Sequence, residues 1–391
     1  MKGSGKAGIS VGSLRWGASS CLVALALNLS ACGWFDQDWE RWEAFHKHFV
    51  QDDGRVIDRT DGARSTSEGQ AYGLFFALVA NRPDVFASVL SWTTANLAQG
   101  DLLEHLPAWL WGERDDGSWG VVDPNPASDA DLWIAYTLLE AARLWDVQQY
   151  EVVARAMLAN VLEHEVVTTA DGVSLLLPAP HGFRLEDGRV RLNPSYLPEF
   201  QFRYLDQRHP VGQWSTLLAN HNKLLMAVSQ GAGLAPDWMI FGPDGVEFSD
   251  GKPITGSYDA IRVYLWAGMT PGSEVLSALG GMSRLLADNN RPPERVDVLS
   301  GDVLSGGGPL GFSAALLPYL KALGDDTAIR AQQSLIEEAD HGGLLGDVPA
   351  YYDHVLSLFG EGHANGWYSI DESGRLIPKW ERSCWLIFGD C

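Results

Sequence analysis

Four acidic side chains open three predicted helices, and their aromatic surroundings make them the residues best suited to chemistry. Glu68 lies in TSEGQAYGLFFAL, Asp129 and Asp131 open ASDADLWIAYTLLEA, and Asp259 opens GSYDAIRVYLWAG. Tyr, Phe and Trp recur near these acids at helical spacing, so the carboxyls are expected to be partly removed from water. Desolvation disfavours the charged form of a carboxyl and raises its pKa, which suits a general acid.

The same positions also have a structural explanation. A Ser and an acid stand three residues apart at 65–68 and 128–131, which fits a capping box in which the acid bonds back to the backbone of the cap. Asp259 stands three residues before Arg262 and is suited to an ion pair with it. We assign Asp131 to the capping role and leave both explanations open for the other three acids.

Helical periodicity dominates the sequence. About a dozen segments, from DWERWEAFHKHFV to AYYDHVLSLFGEG, repeat apolar residues three and four apart. Strand-like alternation is limited to two predicted β-hairpins, one in VSLLLPA with HGFRLEDGRVRLNP and one in WYSIDESGRLIPKW. The pattern predicts one all-α domain of helical hairpins closed into a ring with an inner and an outer layer. Because the inner helices of such a ring run in one direction, their acidic N-termini would meet at one mouth.

Composition and charge narrow the choice of ligand. The chain of 391 residues contains 16 Trp and carries a formal net charge of −22, which argues against nucleic acid because no basic stripe is present to contact phosphates. Trp side chains serve either the core or the flat faces of sugars. Carboxyls that converge in an aromatic cleft suit glycosidic bond cleavage, which needs one protonated acid and one ionised carboxylate. No metal or cofactor is predicted, since neither zinc-ligand spacing nor a Gly-rich phosphate loop occurs in the sequence.

The N-terminus is predicted to be a secretory signal peptide over residues 1–31. Basic residues precede the apolar run CLVALALNL, which is too short to span a bilayer. The following LSAC resembles a lipobox, in which Cys32 is lipidated, and ordinary cleavage near Ala31 is the alternative. Residues 32–391 then form a single catalytic domain in the periplasm, anchored to the outer membrane if Cys32 is acylated. In that oxidising compartment Cys384 and Cys391 either form a disulfide loop or stay free.

Longer blocks of the chain resemble glycoside hydrolase family 8. The resemblance runs from about Trp39 to Trp380 and is strongest in TSEGQAYGLFFALVAN, ASDADLWIAYTLLEAARLW, NPSYLPEF, SYDAIRVYLWAGM and GPLGFSAALLP. It implies an (α/α)6 barrel and an inverting endo-β-1,4-glucanase. Within the family, the resemblance is to the periplasmic cellulases encoded with bacterial cellulose synthase. That subgroup implies β-1,4-glucan as the substrate and the cellulose synthesis and export machinery as partners.

The resemblance also implies roles for individual residues. Glu68 corresponds to the general acid, Asp259 to the general base, and Asp129 to an acid at the cleavage subsite, with Tyr196 nearby. Thr137 stands where this block of the family usually has Ser or Ala, but it lies two turns beyond the acid pair, so it casts little doubt on the chemistry.

Further residues are predicted to bind substrate. Trp109, Trp111 and Trp119 are candidates for sugar platforms, and packing in the core is an equal alternative for each. Tyr258 and Arg262 flank Asp259 and are assigned to substrate binding.

Other functions agree with parts of the pattern. A glycosyltransferase also uses an Asp-x-Asp pair, but its fold requires parallel strands alternating with helices, a pattern this sequence lacks. A non-catalytic glucan-binding subunit would keep the aromatic groove and lose the acid or the base, and both are present. An acidic groove would also suit another β-1,4-polysaccharide, such as the cationic chitosan.

Overall fold

The periodic apolar segments fold into twelve α-helices that have both ends inside the described residues. The structure is a computed structural model and describes residues 39–247 and 254–382. The helices are α1 (Glu40–Phe49), α2 (Ser67–Val79), α3 (Pro83–Asn96), α4 (Ser128–Trp145), α5 (Gln148–His164), α6 (Glu199–Arg208), α7 (Trp214–Ser229), α8 (Ala260–Met269), α9 (Gly281–Asn289), α10 (Leu310–Leu323), α11 (Asp326–Glu338) and α12 (Tyr351–Ala364).

The even-numbered helices form an inner ring, and the odd-numbered helices lie around it. Each inner helix packs on the next inner helix along the chain. Phe359 of α12 contacts Tyr72 and Phe75 of α2, with ring centroids 5.2 and 5.5 Å apart, and these contacts close the ring. Nearly every residue of α2 is buried, whereas the outer helix α11 buries only Gln332 and Ile336. This arrangement confirms the predicted (α/α)6 barrel.

Large aromatic side chains from different inner helices fill the middle of the ring. Trp133 of α4 contacts Trp266 of α8 and Phe359 of α12, with ring centroids 5.3 and 5.1 Å apart. All three side chains are almost fully buried, and aromatic pairs at this separation stabilise a core beyond the burial of their area. Trp42 of α1 and Trp214 of α7 are buried in the outer layer. Part of the unusual Trp content therefore serves the core.

Short strands form five small antiparallel sheets in the described part of the chain, more than the one or two hairpins that the sequence predicts. Strand order is β1-β2-β3, β4-β5, β6-β7-β8, β11-β10-β9 and β12-β13. The strands are β1 (Ser65–Thr66), β2 (Ala108–Glu113), β3 (Trp119–Pro126), β4 (Val166–Thr168), β5 (Ser174–Leu176), β6 (Val190–Leu192), β7 (Met239–Gly242), β8 (Gly245–Glu247), β9 (Thr255–Gly256), β10 (Arg295–Asp297), β11 (Val303–Ser305), β12 (Tyr368–Ile370) and β13 (Leu376–Pro378).

One predicted hairpin is confirmed and the other is wrong in its pairing. The C-terminal hairpin is β12 with β13. The strand in VSLLLPA is β5, which pairs with the preceding β4, while β6 pairs with the distant β7. The pair β2 and β3 escaped prediction because its register shifts twice, which breaks the regular alternation of a strand. This pair lies beside β1, and β3 leads into α4.

The helix predictions differ from the structure in two places. Periodicity does not predict α6, because this inner helix buries the polar Glu199 and Gln201 and follows two prolines. The segment EVLSALGGMSRLLADN, expected to be one helix, divides into a 3-10 turn at Leu276–Leu279 and α9. Two consecutive glycines mark the division.

The predicted leader and the two C-terminal cysteines lie outside the described residues. This holds for the signal peptide at residues 1–31, for Cys32, and for Cys384 and Cys391. Among the helices of residues 39–247 and 254–382, none is both long and apolar enough to cross a bilayer.

Candidate active site

The N-termini of the inner helices meet at one end of the ring, as the sequence predicts, and Arg262 in the first turn of α8 connects several of them. Its Nη2 lies 3.9 Å from Asp129 Oδ2 at the start of α4 and donates to Ser195 Oγ, 2.7 Å away, just before α6. Its Nη1 lies 3.5 Å from the hydroxyl of Tyr352 at the start of α12. Residues far apart in the sequence therefore share one cleft.

Glu68 lies partly buried in the first turn of α2 and lines this cleft. Trp109 Nε1 donates a hydrogen bond to Glu68 Oε1 over 3.2 Å. Burial raises the pKa of Glu68, and the positive charge of Arg262 and the hydrogen bond from Trp109 oppose that shift only in part. A carboxyl that keeps its proton and remains in contact with a cleft can donate that proton to a ligand.

Of the two explanations left open for Glu68, the capping box with Ser65 does not form. Thr66 is the N-cap of α2, and its Oγ1 accepts a hydrogen bond from Gly69 N–H over 3.1 Å. Ser65 Oγ instead donates to the carbonyl of Val56, 2.6 Å away. Because Thr66 satisfies a backbone donor at the helix start, the side chain of Glu68 is not needed as a cap and faces the cleft.

Asp129 is almost completely buried at the start of α4, with 1% of its surface exposed. Its Oδ1 accepts from Ala130 N–H over 2.8 Å, while Oδ2 has no hydrogen-bond partner among the described residues. Burial, followed by the charge of Glu68, raises the pKa of Asp129 well above its ordinary value, against the effect of Arg262. This oxygen is itself almost fully covered, and Arg262 Nη2 lies 3.9 Å from it.

The capping role predicted for Asp131 is also wrong. Helix α4 has no side-chain cap, and Ser128 Oγ donates to the carbonyl of Leu177 over 2.7 Å. The carboxyls of Asp131 and Glu165 instead act on each other inside the protein, where both residues are fully buried and none of the four oxygens has a hydrogen-bond partner among the described residues. The cap failed because the segment around Leu177 covers the start of α4 and accepts the hydrogen bonds of Ser128.

Asp259 stands at the N-cap position of α8 with 28% of its side chain exposed. Arg262 Nη2 donates to Asp259 Oδ1 over 2.9 Å, so the expected ion pair is present. The backbone N–H groups of Ser257, Asp259 and Ala260 donate to Asp237 Oδ1 over 2.8, 3.1 and 2.9 Å. Because Asp237 acts as the cap, the carboxylate of Asp259 is left to the cleft and Arg262.

Tyr196 ends the 3-10 turn Pro194–Tyr196, which hydrogen bonds fix in place before α6. Asn193 Oδ1 accepts from the N–H and the Oγ–H of Ser195, over 3.0 and 2.7 Å. Trp266 Nε1 donates to the carbonyl of Ser195 over 2.9 Å. Burial, followed by the charges of two nearby acids, raises the pKa of Tyr196 well above its ordinary value. The side chain is therefore a neutral phenol that can donate and accept hydrogen bonds.

Two cavities flank Glu68. The first has a volume of about 350 Å³ and is lined by Glu68, Arg262 and four tyrosines. The second has a volume of about 200 Å³ and is lined mainly by aromatic, small and amide side chains. Trp109 lines the second cavity and bonds to Glu68 in the first, so Glu68 lies between them, whereas Asp259 lines an adjoining cavity of about 490 Å³. The tyrosines of the first cavity are Tyr72, Tyr258, Tyr351 and Tyr352, and the aromatic residues of the second are Trp109, Phe183, Tyr196 and Trp238.

Among the three predicted tryptophan platforms, Trp109 lines one of these two cavities and the other two lie elsewhere. Trp111 and Trp119 lie side by side on β2 and β3 with ring centroids 5.4 Å apart. The guanidinium of Arg55 lies 4.2 Å from the centre of the Trp111 ring, and Trp92 packs against that ring's edge. These contacts form a separate cluster beside the β1-β2-β3 sheet.

Some residues of the cleft escaped sequence reasoning. Tyr351, at the start of α12, has a buried hydroxyl without a hydrogen-bond partner in the described ranges. Phe183 and Trp238 stack with ring centroids 5.8 Å apart, although 55 positions separate them in the chain. The one sequence signal for these residues was the pair Asp237 and Trp238 in a Gly- and Pro-rich stretch. An aromatic residue in such a loop often binds a ligand, so the pair could have been predicted to line the cleft.

The chemistry available in this cleft is that of carboxyl groups. Within residues 39–247 and 254–382, no cluster of three His, Cys, Asp or Glu side chains is arranged to hold a metal ion. The arrangement joins a partly buried acid, a more exposed carboxylate paired with an arginine, and a deeply buried third acid. Such a set can protonate one atom of a ligand while it activates water at another.

Known proteins resemble this chain over nearly its whole length. The sequence profile of the glycosyl hydrolases family 8 matches residues 11–366. An endoglucanase of Escherichia coli (strain K12) is 40% identical over 378 residues, which cover 95% of this chain and 98% of that protein. An endoglucanase of Xanthomonas axonopodis pv. citri is 43% identical over 373 residues, covering 93% and 94%. The crystal structure of an endo-1,4-D-glucanase from Vibrio fischeri ES114 matches with a TM-score of 0.80 at 38% identity, covering 88% of this chain and 99% of that one.

Proposed function

This chain belongs to the glycosyl hydrolases family 8, and on that premise we propose that it is an endo-1,4-β-glucanase that hydrolyses β-1,4-glucan with inversion. The proposal rests on Glu68 and Asp259, two carboxyls on distant helices that both interact with Arg262. The relatives named as endoglucanases support the same reaction class.

Glu68 is the proposed general acid, which protonates the glycosidic oxygen as the sugar leaves. The role requires a carboxyl that is protonated near neutral pH and in contact with the substrate. Burial supports this role because it raises the pKa of Glu68, and the side chain lines the larger of the two flanking cavities. The hydrogen bond from Trp109 supports it further, since it holds one carboxyl oxygen in a defined orientation.

Asp259 is the proposed general base, which takes a proton from the water that attacks the opposite face of the sugar. Its side chain is more exposed than that of Asp129, so water can reach it. Arg262 donates to Oδ1, which leaves Oδ2 for the water molecule. An inverting enzyme holds its two carboxyls about 6.5–9.5 Å apart so that this water fits between them.

Asp129 and Tyr196 are proposed to contact the sugar at the cleavage subsite. Asp129 keeps one oxygen without a protein partner, and the raised pKa of Tyr196 keeps its phenol neutral. Hydrogen bonds from such groups to ring hydroxyls strengthen as the sugar distorts towards the transition state. Trp109, Trp238 and Phe183 offer flat faces for neighbouring sugar units in the second cavity.

Hydrolysis of carboxymethyl cellulose tests the roles of the two main acids. We expect Glu68→Gln and Asp259→Asn each to lower turnover by about 10²- to 10⁴-fold, because each removes one proton-transfer group. The folded state should be retained, as judged by circular dichroism and denaturant unfolding. The matched control is Asp326→Asn, the same change in the first turn of the outer helix α11. Wild-type turnover in Glu68→Gln would remove the acid assignment.

The stereochemistry of the product tests inversion. Proton NMR of the first products should show the α-anomer, because water attacks the face opposite the departing oxygen. An early β-anomer would show retention and would exclude Asp259 as a base that activates water.

A panel of polysaccharides separates the remaining alternatives. Cellulose derivatives, chitosan and xylan should be compared at equal concentration, with binding measured beside cleavage. We expect the fastest cleavage on β-1,4-glucan. Binding without cleavage of any polymer would favour a non-catalytic glucan-binding subunit, and faster cleavage of chitosan would favour a cationic substrate for the acidic chain.

We also propose a cellular place for the enzyme, beside the cellulose synthesis and export machinery in the periplasm. The leader sequence supports export, and LSAC supports lipidation of Cys32 as an anchor in the outer membrane. Mass spectrometry of the mature chain should find Cys32 as the first residue with an acyl modification. An unmodified N-terminus near that position would show a released periplasmic protein instead.

A further inference from the structure

Behind Asp129, two carboxyl groups face each other inside the protein. Asp131 lies in the first turn of α4, Glu165 lies at the C-terminal end of α5, and both are 0% exposed. Each carboxyl acts electrostatically on the other. None of the four oxygens has a hydrogen-bond partner in the described part of the chain. A hydrogen bond between two carboxyls requires a proton on at least one of them.

The groups that act electrostatically on this pair favour retention of the proton. Asp131 experiences the charges of Asp129 and Glu68, and Glu165 experiences those of Asp131 and Asp129. Burial first, and these like charges second, raise the pKa of both members of the pair well above their ordinary values. Arg262 is engaged with Asp129 and Asp259. Two ionised carboxylates in contact here would be strongly destabilising, since a buried charge needs a partner.

Asp131 and Glu165 belong to a network of contacts that holds the first turn of α4, which also contains Asp129. Asp131 follows Asp129 by two residues in the first turn of α4. Glu165 caps the C-terminus of α5, and its carbonyl accepts from Leu177 N–H over 2.8 Å. The carbonyl of Leu177 accepts in turn from Ser128 Oγ–H over 2.7 Å. The contact between Asp131 and Glu165 therefore joins the start of an inner helix to the end of an outer one.

We propose that Asp131 and Glu165 are a positioning pair, in which a proton shared between the two carboxyls at neutral pH holds the first turn of α4 so that Asp129 faces the sugar. This inference rests on the proposed hydrolytic function. Both members act through Asp129, because both are closed off from the cleft.

The retained proton can be measured without any substrate. In the unfolded chain the shared proton dissociates above the ordinary pKa values of the two carboxyls, 3.8 and 4.5, whereas the native pair keeps the proton. A group whose pKa is higher in the native state than in the unfolded state stabilises the protein fully when the pH is below the unfolded-state pKa. This stabilisation is lost as the pH rises towards the native-state pKa. Between about pH 5.5 and 7.5, each retained proton makes the unfolding equilibrium constant rise about tenfold per pH unit.

The matched variant for this measurement is Asp131→Asn with Glu165→Gln, an amide pair that can still form hydrogen bonds but cannot ionise. Urea unfolding of both proteins across this pH range gives the unfolding equilibrium constant at each pH. The logarithm of that constant should rise less steeply with pH in the amide pair, by about one log unit per pH unit, which corresponds to one proton. Equal slopes would overturn the shared proton. Because no substrate is involved, this result is independent of whether the proposed hydrolysis is found.

Kinetics test the positioning role. Glu165→Ala leaves Asp131 buried without a hydrogen-bond donor. We therefore expect kcat on carboxymethyl cellulose to fall about tenfold or more, while KM stays within about twofold of the wild-type value. This combination is expected when a catalytic group is misplaced. Glu165→Gln supplies an amide donor and should restore at least about half of the wild-type kcat. Wild-type kcat in Glu165→Ala, or equal losses in Glu165→Ala and Glu165→Gln, would overturn the positioning role. If Glu165→Ala does not fold, kcat is measured in the double variant Asp131→Asn with Glu165→Gln instead. A loss of kcat in that double variant as large as in Asp129→Asn would overturn the positioning role.

Discussion

Single contacts distinguish acids that look equivalent in the sequence. Glu68 and Asp129 both stand in the first turn of an inner helix, and burial raises the pKa of both. Glu68 lines a cavity and accepts a hydrogen bond from Trp109, whereas Asp129 is 1% exposed and lies 3.9 Å from Arg262. Access to a cavity, more than the direction of the pKa shift, therefore distinguishes the proposed proton donor from the proposed hydroxyl-binding acid.

The pH profile tests the environment of Glu68. In the proposed general-acid role the protonated form of Glu68 is the active one, so kcat/KM should fall as the pH rises through the pKa of Glu68. The hydrogen bond from Trp109 lowers that pKa, so Trp109→Phe should move the alkaline limb to higher pH. The shift is expected because the indole N–H stabilises the ionised form of Glu68, and phenylalanine has no donor to replace it.

A second tryptophan provides the control for this prediction. Trp119→Phe makes the same chemical change in the separate Trp cluster, and its pH profile should match that of the wild type. A shift of the Trp109→Phe profile to lower pH would contradict the role of the indole N–H.

At the scale of the secondary-structure elements, the caps decide which acids reach the cleft. Thr66 satisfies a backbone donor at the start of α2, and Asp237 satisfies three at the start of α8. Glu68 and Asp259 are thereby left with side chains that serve no cap. The sequence suggests capping boxes because the residue types fit, but other side chains lie closer to the open N–H groups.

Removal of the cap of α8 should affect both stability and catalysis. Asp237→Ala leaves three N–H groups without their acceptor, so we expect a loss of about 1–2 kcal/mol in the free energy of unfolding. It should also lower kcat, because the turn that holds Asp259 loosens. Urea unfolding and turnover of carboxymethyl cellulose measure the two effects.

Another capping aspartate separates these two effects. Asp325 caps the outer helix α11 by accepting from Ala328 N–H over 3.0 Å. Asp325→Ala should lose similar stability and keep wild-type kcat. Equal kcat in Asp237→Ala and Asp325→Ala would show that the cap of α8 does not position Asp259.

At the scale of the whole molecule, close packing of the inner helices closes the ring. A Cβ atom at Gly268 of α8 would overlap the backbone of Tyr319 in α10, and one at Gly360 of α12 would overlap the backbone of Ala314 in α10. The three helices approach so closely only because these positions lack side chains. The approach brings the starts of α8 and α12, with Arg262 and Tyr352, to the same end of the cleft.

A single added methyl group tests this packing. Gly360→Ala should lower the free energy of unfolding by about 1–3 kcal/mol, because the contact atom is backbone and cannot move aside as a side chain would. Gly306→Ala is the control, since its Cβ would meet no atom within 4 Å. Thermal or urea unfolding compares the two variants. Equal stability of both would contradict the close approach of α10 and α12.

The prediction from sequence succeeds where one local signal controls one local structure. Apolar spacing identifies nearly all the helices, and acids beside aromatic residues identify Glu68, Asp129 and Asp259 as cleft residues. It fails where distant parts of the chain compete for one group. Helix α6 escapes because the interior of the ring accepts buried polar side chains, and Asp131 is assigned to a cap because its partner Glu165 lies 34 positions away.

Local patterns in the chain are enough to show that this protein is helical, that its amphipathic helices form hairpins, and that acids stand at the starts of several of them. These properties depend on periodicity and on residue type, which act over a few neighbouring residues. Which acids meet Arg262, which carboxyl shares a proton, and which tryptophans line the cleft emerge only from the folded structure. Those outcomes depend on burial and on distances between remote side chains, and both exist only once the ring has closed.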